Sequence, residues 1–181
     1  MKKQDKNAGV ITLEAAILMP MFILLMLFLY AFFIFFMGQQ IMSHAAIQAA
    51  KSLSFDPYAV SRTDGNDLAG MIQGVSILAF SGNYSSSTAW YTTERSSRLP
   101  QVAKDRFLAF LPNQSDPDNL LQWLGVENGT SGLDFSGSAV EDGVLTLKIK
   151  YVQNFAFQVA DLTSFDRVIT LKVKLFQWEK P

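Results

Sequence analysis

Residues 9–37 read GVITLEAAILMPMFILLMLFLYAFFIFFM. From Ala15 to Met37, 23 residues pass without a charge. As a helix rising about 1.5 Å per residue they extend ~35 Å, which crosses a hydrocarbon core of roughly 30 Å with room for tilt. A buried helix of a soluble protein rarely stays uncharged for so long. The stretch therefore reads as one membrane span, and no second segment approaches its length. One residue fits poorly. Glu14 sits at the leading edge of the run, where an unpaired carboxylate against lipid is expensive.

The flanks set an orientation. Lys2, Lys3 and Lys6 precede the run and only Asp5 opposes them. Positive charge stays on the cytoplasmic side, so the N-terminus is expected inside and residues after about Gly38 outside. A cleaved secretory signal is a poor fit. Its apolar region runs about 7–15 residues, and the small residues around SHAAIQAA lie beyond this run in a helical pattern.

Gly9 marks the junction between the polar leader and the apolar run. Cutting the chain after Gly9 makes Val10 the first residue and Glu14 the fifth. The new amine then lies one helical turn before the carboxylate, on the same side of the helix. Such an amine can pair with that carboxylate or with a neighbouring subunit's, which lowers the cost of holding both in a low-dielectric setting. Pro20 removes one backbone hydrogen bond, to the carbonyl of Ala16, and predicts a helix kink. A membrane span tolerates this where neighbours satisfy the freed group.

A short basic leader, a Gly, four mostly apolar residues, a Glu and a long apolar helix resemble the start of type IV pilin-like proteins. Within that group GVITLEAAILMPMF is most similar to the TadE-like minor pilins of tight-adherence (Tad/Flp) systems, and Gly9 to about Met37 carries the resemblance. It implies cleavage between Gly9 and Val10 by a prepilin-type peptidase, Glu14 as the residue of subunit assembly, and partners among other pilin subunits and the pilus assembly platform. Classical type IV pilins usually begin the mature chain with Phe or Met, whereas this one would begin with Val.

The rest of the chain limits the alternatives. With 181 residues there is room for one span and one modest domain. A net charge of −1 points to no nucleic-acid partner. Cysteine is absent, which excludes disulfides and thiolate chemistry. The single histidine, His44, lies on a polar stripe between glutamines and reads as a solvated residue. No nucleophile elbow, zinc-protease motif or phosphate loop occurs, so neither an enzyme nor a cofactor is expected.

Beyond the span, Met42, Ala45, Ala46, Ala49 and Leu53 recur at helical spacing, opposed by Gln40, His44, Gln48 and Lys51. One helix is expected over 10–54, with its lipid part at 15–37 and an alanine-rich stem above it. Pro57 should end it, because the residue before a proline is biased out of the helical region. Residues 55–181 then form the outer domain. Leu68, Met71, Ile72, Val75 and Leu78 suggest a helix, and Trp90 and Tyr91 stand in a Ser/Thr-rich loop. Short helices are expected over LPQVAKDRFLAFLP, with Pro100 in the first turn, and over SDPDNLLQWLG, capped by Ser115 or Asp116.

In GVLTLKIKYV the odd Leu145, Leu147, Ile149 and Tyr151 are apolar against the even Thr146, Lys148 and Lys150, and in RVITLKVKLF Ile169, Leu171, Val173 and Leu175 stand against Thr170, Lys172 and Lys174, the period of strands with one wet face. GLDFSGSAV supplies a third strand, joined through Glu141-Asp142-Gly143. The fold class is α+β: a long membrane-spanning helix packed against a small antiparallel sheet with additional short helices. Lys148, Lys150, Lys172 and Lys174 share the wet face, as a binding surface for an acidic partner or as a solvated face that discourages aggregation. A membrane-tethered hydrolase working through carboxylates alone is a third and lesser reading, and two functions stand ahead of it. One is a minor pilin of a Tad-type filament in a bacterial cytoplasmic membrane. The other is an uncleaved single-span protein presenting an outer binding or sensor domain.

Overall fold

The structure is a computed structural model and describes residues 6–62, 96–155 and 164–176. Helix α1 runs Lys6–Arg62. A 3-10 turn at Ser96–Arg98 leads into α2, Leu99–Ala109, and α3 spans Pro117–Trp123. A second 3-10 turn, Gly129–Gly132, precedes strands β1 (Ala139–Glu141), β2 (Val144–Asn154) and β3 (Ser164–Lys174). The helix expected over Leu68–Leu78 and the Trp90–Tyr91 loop lie outside the described residues.

The strands form one antiparallel sheet in the order β1-β2-β3. A two-residue turn joins β1 to β2, with Asp142 at φ 49° and Gly143 at φ 71°, the left-handed pair that matches strand twist. Register between β2 and β3 sets Leu145 opposite Val173, Leu147 opposite Leu171 and Ile149 opposite Ile169. The odd positions therefore build one apolar face, and the alternation along the sequence holds.

That face is covered by two helices. Met42, Ala45, Ala46, Ala49, Ala50 and Leu53 of α1 are buried with Leu99, Ala103 and Phe107 of α2 against Leu145, Leu147 and Ile149. Alanines on the stem keep the helix axis close to the sheet, and fully burying each large partner contributes about 1.5–3 kcal/mol. Asp116 is the cap of α3 and accepts from Asn119 N–H at 3.1 Å. Gly125, at φ +83°, turns the chain out of α3, and its carbonyl accepts from Asn154 N–H at 2.7 Å.

One expectation is corrected. The helix does not end at residue 54 but continues through Pro57 to Arg62. Tertiary contacts override the local bias. The Ser54 carbonyl accepts Phe176 N–H, from beyond β3, at 3.0 Å. Asp56, the residue before the proline, is buried beside Arg106. Outside partners thus hold the turn that Pro57 would otherwise loosen.

Candidate functional site

The helix divides into zones by what covers it. Gly9, Val10, Glu14 and Pro20 all fall on α1. The helix is continuous across Pro20.

From Ala15 to Tyr30 every residue is exposed. The large side chains between Ile17 and Tyr30 keep 45% to 67% of their surface open, on all sides of the helix. A bare apolar cylinder ~24 Å long, at about 1.5 Å per residue, far exceeds the apolar patches that soluble monomers expose. Among the described residues α1 is the one helix long and apolar enough to cross a membrane. The cover this zone requires is lipid or other helices.

Cover by the chain itself starts at Ala31 and Phe35. The apolar run 15–37 is therefore not uniform, since its last turns already carry the outer domain. The closest approach is at Gly38. A methyl group there would lie 2.7 Å from Gln153 Nε2 and 3.2 Å from the Leu124 carbonyl oxygen. Gln153 is fully buried, and its Nε2 donates to the Phe35 carbonyl at 3.1 Å and to the Leu124 carbonyl at 3.2 Å. It ties β2, the end of α3 and the helix at one point. Polarity along the chain marks Gly38 only as the edge of the membrane, yet it is a docking position. The signal for Gln153 is the parity of β2, which continues onto it from Tyr151.

Higher on the stem a buried ion pair closes the contact. Arg106 Nη2 lies 3.2 Å from Asp56 Oδ2, and Arg106 Nη1 also donates to Ser52 Oγ. Burial pushes the guanidinium down from its ordinary pKa, and the Asp56 charge partly offsets this. No sequence pattern joins residues so far apart.

The wet face of the sheet is less committed. Thr146 pairs with Lys172 and Lys148 with Thr170, which spreads the four lysines over two strands. Lys150 Nζ lies 3.8 Å from Asp134 Oδ2, with both side chains about half-exposed, a pair of little energetic weight. Hydrogen bonds from Ser136 hold the Asp134 carboxyl below its ordinary range, with Lys150 and Lys148 contributing less. His44 is exposed. Among the described residues no group of three His, Cys, Asp or Glu side chains is placed to hold a metal.

Residues 9–51 match the family model described as TadE-like protein, in agreement with the resemblance carried by the N-terminal motif. The matched segment begins at Gly9 and runs past Met37 to Lys51, so it takes in the buried stem as well as the exposed cylinder. The chain has no match among the curated proteins or the solved structures.

Proposed function

We propose that this chain, TadE-like from Gly9 to Lys51, is a minor pilin subunit that takes part in assembling a Tad-type pilus or secretion filament. The lower half of α1 holds it in a bacterial cytoplasmic membrane with the N-terminus cytoplasmic and the sheet domain outside. A prepilin peptidase removes residues 1–9. The subunit then passes to the assembly platform and packs beside other pilins. Its role is structural rather than enzymatic.

The observation that carries this reading is the exposed apolar cylinder 15–30 joined directly to the Gly9–Glu14 segment. Cleavage gives Val10 a positive amine at the start of a helix, within one turn of Glu14. A carboxylate in the first turn also complements the helix dipole. Pairing with the amine of the same or an adjacent subunit then fixes axial register between helices whose contacts are otherwise unspecific. Pro20 supplies a point of bending within the cylinder, so that the exposed half can adjust its line when lipid is exchanged for neighbouring helices.

Two measurements test it together. N-terminal sequencing of protein taken from membranes should begin at Val10, and Glu14→Gln should abolish filament incorporation while membrane residence is unchanged. A mature chain that keeps Met1 removes the pilin reading and leaves the uncleaved single-span protein.

A further inference from the structure

The exposed cylinder and the covered stem meet inside the apolar run. Counting about 1.5 Å per residue from Ala15, a core of roughly 30 Å ends some 20 residues on, near Ile34. Tilt moves that level only further along the helix. The outer domain reaches below it. The Phe155 ring lies 6.1 Å from Phe28, 6.0 Å from Phe32 and 5.7 Å from Phe35. Phe165 stands 5.5 Å from Phe35.

The edge of the domain at this level has a distinct composition. Trp123, at the end of α3, is 52% exposed although Leu121 and Leu124 beside it are buried. Phe165 is 41% exposed. Arg167 lies over the Phe35 and Phe165 rings at 5.3 and 5.6 Å. Its Nε is buried with no hydrogen-bond partner among the described residues. Between α1 and this edge opens a cleft of about 260 Å³, where Ala31, Ile34 and Phe35 face Trp123, Leu124 and Phe155. The charged wet face of the sheet, with Asp166 and the lysines, is on the other side of the strands.

We propose that this edge, Trp123, Phe155, Phe165 and Arg167, is a membrane-interface belt seated in the outer-leaflet boundary of the bilayer that α1 crosses. It rests on the membrane-spanning reading of α1. The occupant follows from continuity. The belt is fixed to Phe28–Phe35, so a helix seated with Ala15 at the inner boundary places the belt among outer headgroups and upper acyl chains. An exposed indole and a ring-stacked guanidinium suit that zone, where one side is apolar and the other wet and phosphate-bearing. The belt sets how deeply the subunit sits and resists outward sliding, and it must leave lipid when the subunit is extracted.

The test uses the full chain in phosphatidylcholine vesicles containing phosphatidylglycerol. With Trp90→Phe and Trp178→Phe, Trp123 is the sole indole. Its emission should be lost more strongly with lipids brominated near the headgroup than with those brominated near the chain end. A second protein carries Leu24→Trp with all three native tryptophans changed to Phe, and it should show the reverse preference. If the Leu24→Trp indole is quenched deep in the bilayer while Trp123 emits as in water and is unquenched, the belt is wrong and the span stands. If neither is quenched, the spanning reading fails and the belt with it. Unquenched but blue-shifted Trp123 emission that varies with the protein-to-lipid ratio overturns the belt in favour of a contact with a second copy.

Discussion

The lower and upper halves of α1 are one continuous helix with opposite solutions to the same problem. Residues 17–29, apart from Pro20, are Leu, Ile, Phe and Met on every side, all exposed. Residues 42–53 turn one face of Met, Ala and Leu inward and leave His44, Ile47 and Lys51 outside. The difference is what each half must meet. Lipid, or a filament in which neighbours change, imposes no single shape, so bulky side chains can point anywhere. A sheet held at a fixed distance imposes a shape, and alanine answers it. Helicity is common to both halves and side-chain volume separates them.

The strongest way to break the comparison is to remove the polar latch of the upper half. Asp56→Ala leaves the Arg106 guanidinium buried without its carboxylate, 5% exposed. Stripping one partner from a buried pair should destabilise the outer domain by about 3–5 kcal/mol. Urea unfolding of the full chain in micelles measures it. Replacing both partners, Asp56→Leu with Arg106→Met, should recover most of the loss, because the desolvation penalty goes with the pair. If the single and double variants unfold alike, the latch is not an ion-pair effect.

Volume sharpens the contrast at smaller magnitude. Ala49 is fully buried between the stem and its cover. Ala49→Leu should cost about 1–3 kcal/mol through overpacking. In the exposed half, Leu24→Ala removes a larger group, yet the unfolding midpoint of the outer domain should not move. The same titration reads both variants, and a comparable loss from Leu24→Ala would mean that the domain covers the lower helix.

Contacts between residues near in sequence are legible in it, and distant partners are not. The parity of Leu145, Leu147 and Ile149 against Thr146, Lys148 and Lys150 is written in consecutive positions, so the sheet face follows from their order alone. The same holds for Met42 to Leu53 at helical spacing. Pro57 misleads because its local bias is real, and what overrides it comes from Phe176 and Arg106, far along the chain. Gly38 carries two meanings, a change of polarity and room for Gln153, and only the first can be read without knowing what faces it. At the candidate site, the Gly9–Glu14 spacing and the apolar run are visible in consecutive residues, but no local pattern shows the outer domain gripping the run from Ala31 upward.

The smallest effect concerns a contact that belongs to neither half of α1 and provides a baseline. Asp118 Oδ1 accepts Thr130 N–H at 2.8 Å and Thr130 Oγ1–H at 2.9 Å, and Oδ2 accepts from Gln122 Nε2 at 2.7 Å. These bonds, the Thr130 backbone N–H foremost, hold the carboxyl below its ordinary value of 3.8. A depressed folded pKa means that the folded state favours the ionised form. Its contribution is therefore present above the ordinary value and fades as pH falls through the folded one. Asp118→Asn should lower Tm slightly and evenly above about pH 5. The gap to the unmodified protein should narrow below 3.8 and level off once both folded and unfolded carboxyls are protonated. The Ala49→Leu gap should show no such narrowing, because volume does not titrate. Paired thermal melts across that acid range distinguish the electrostatic contact from the steric one.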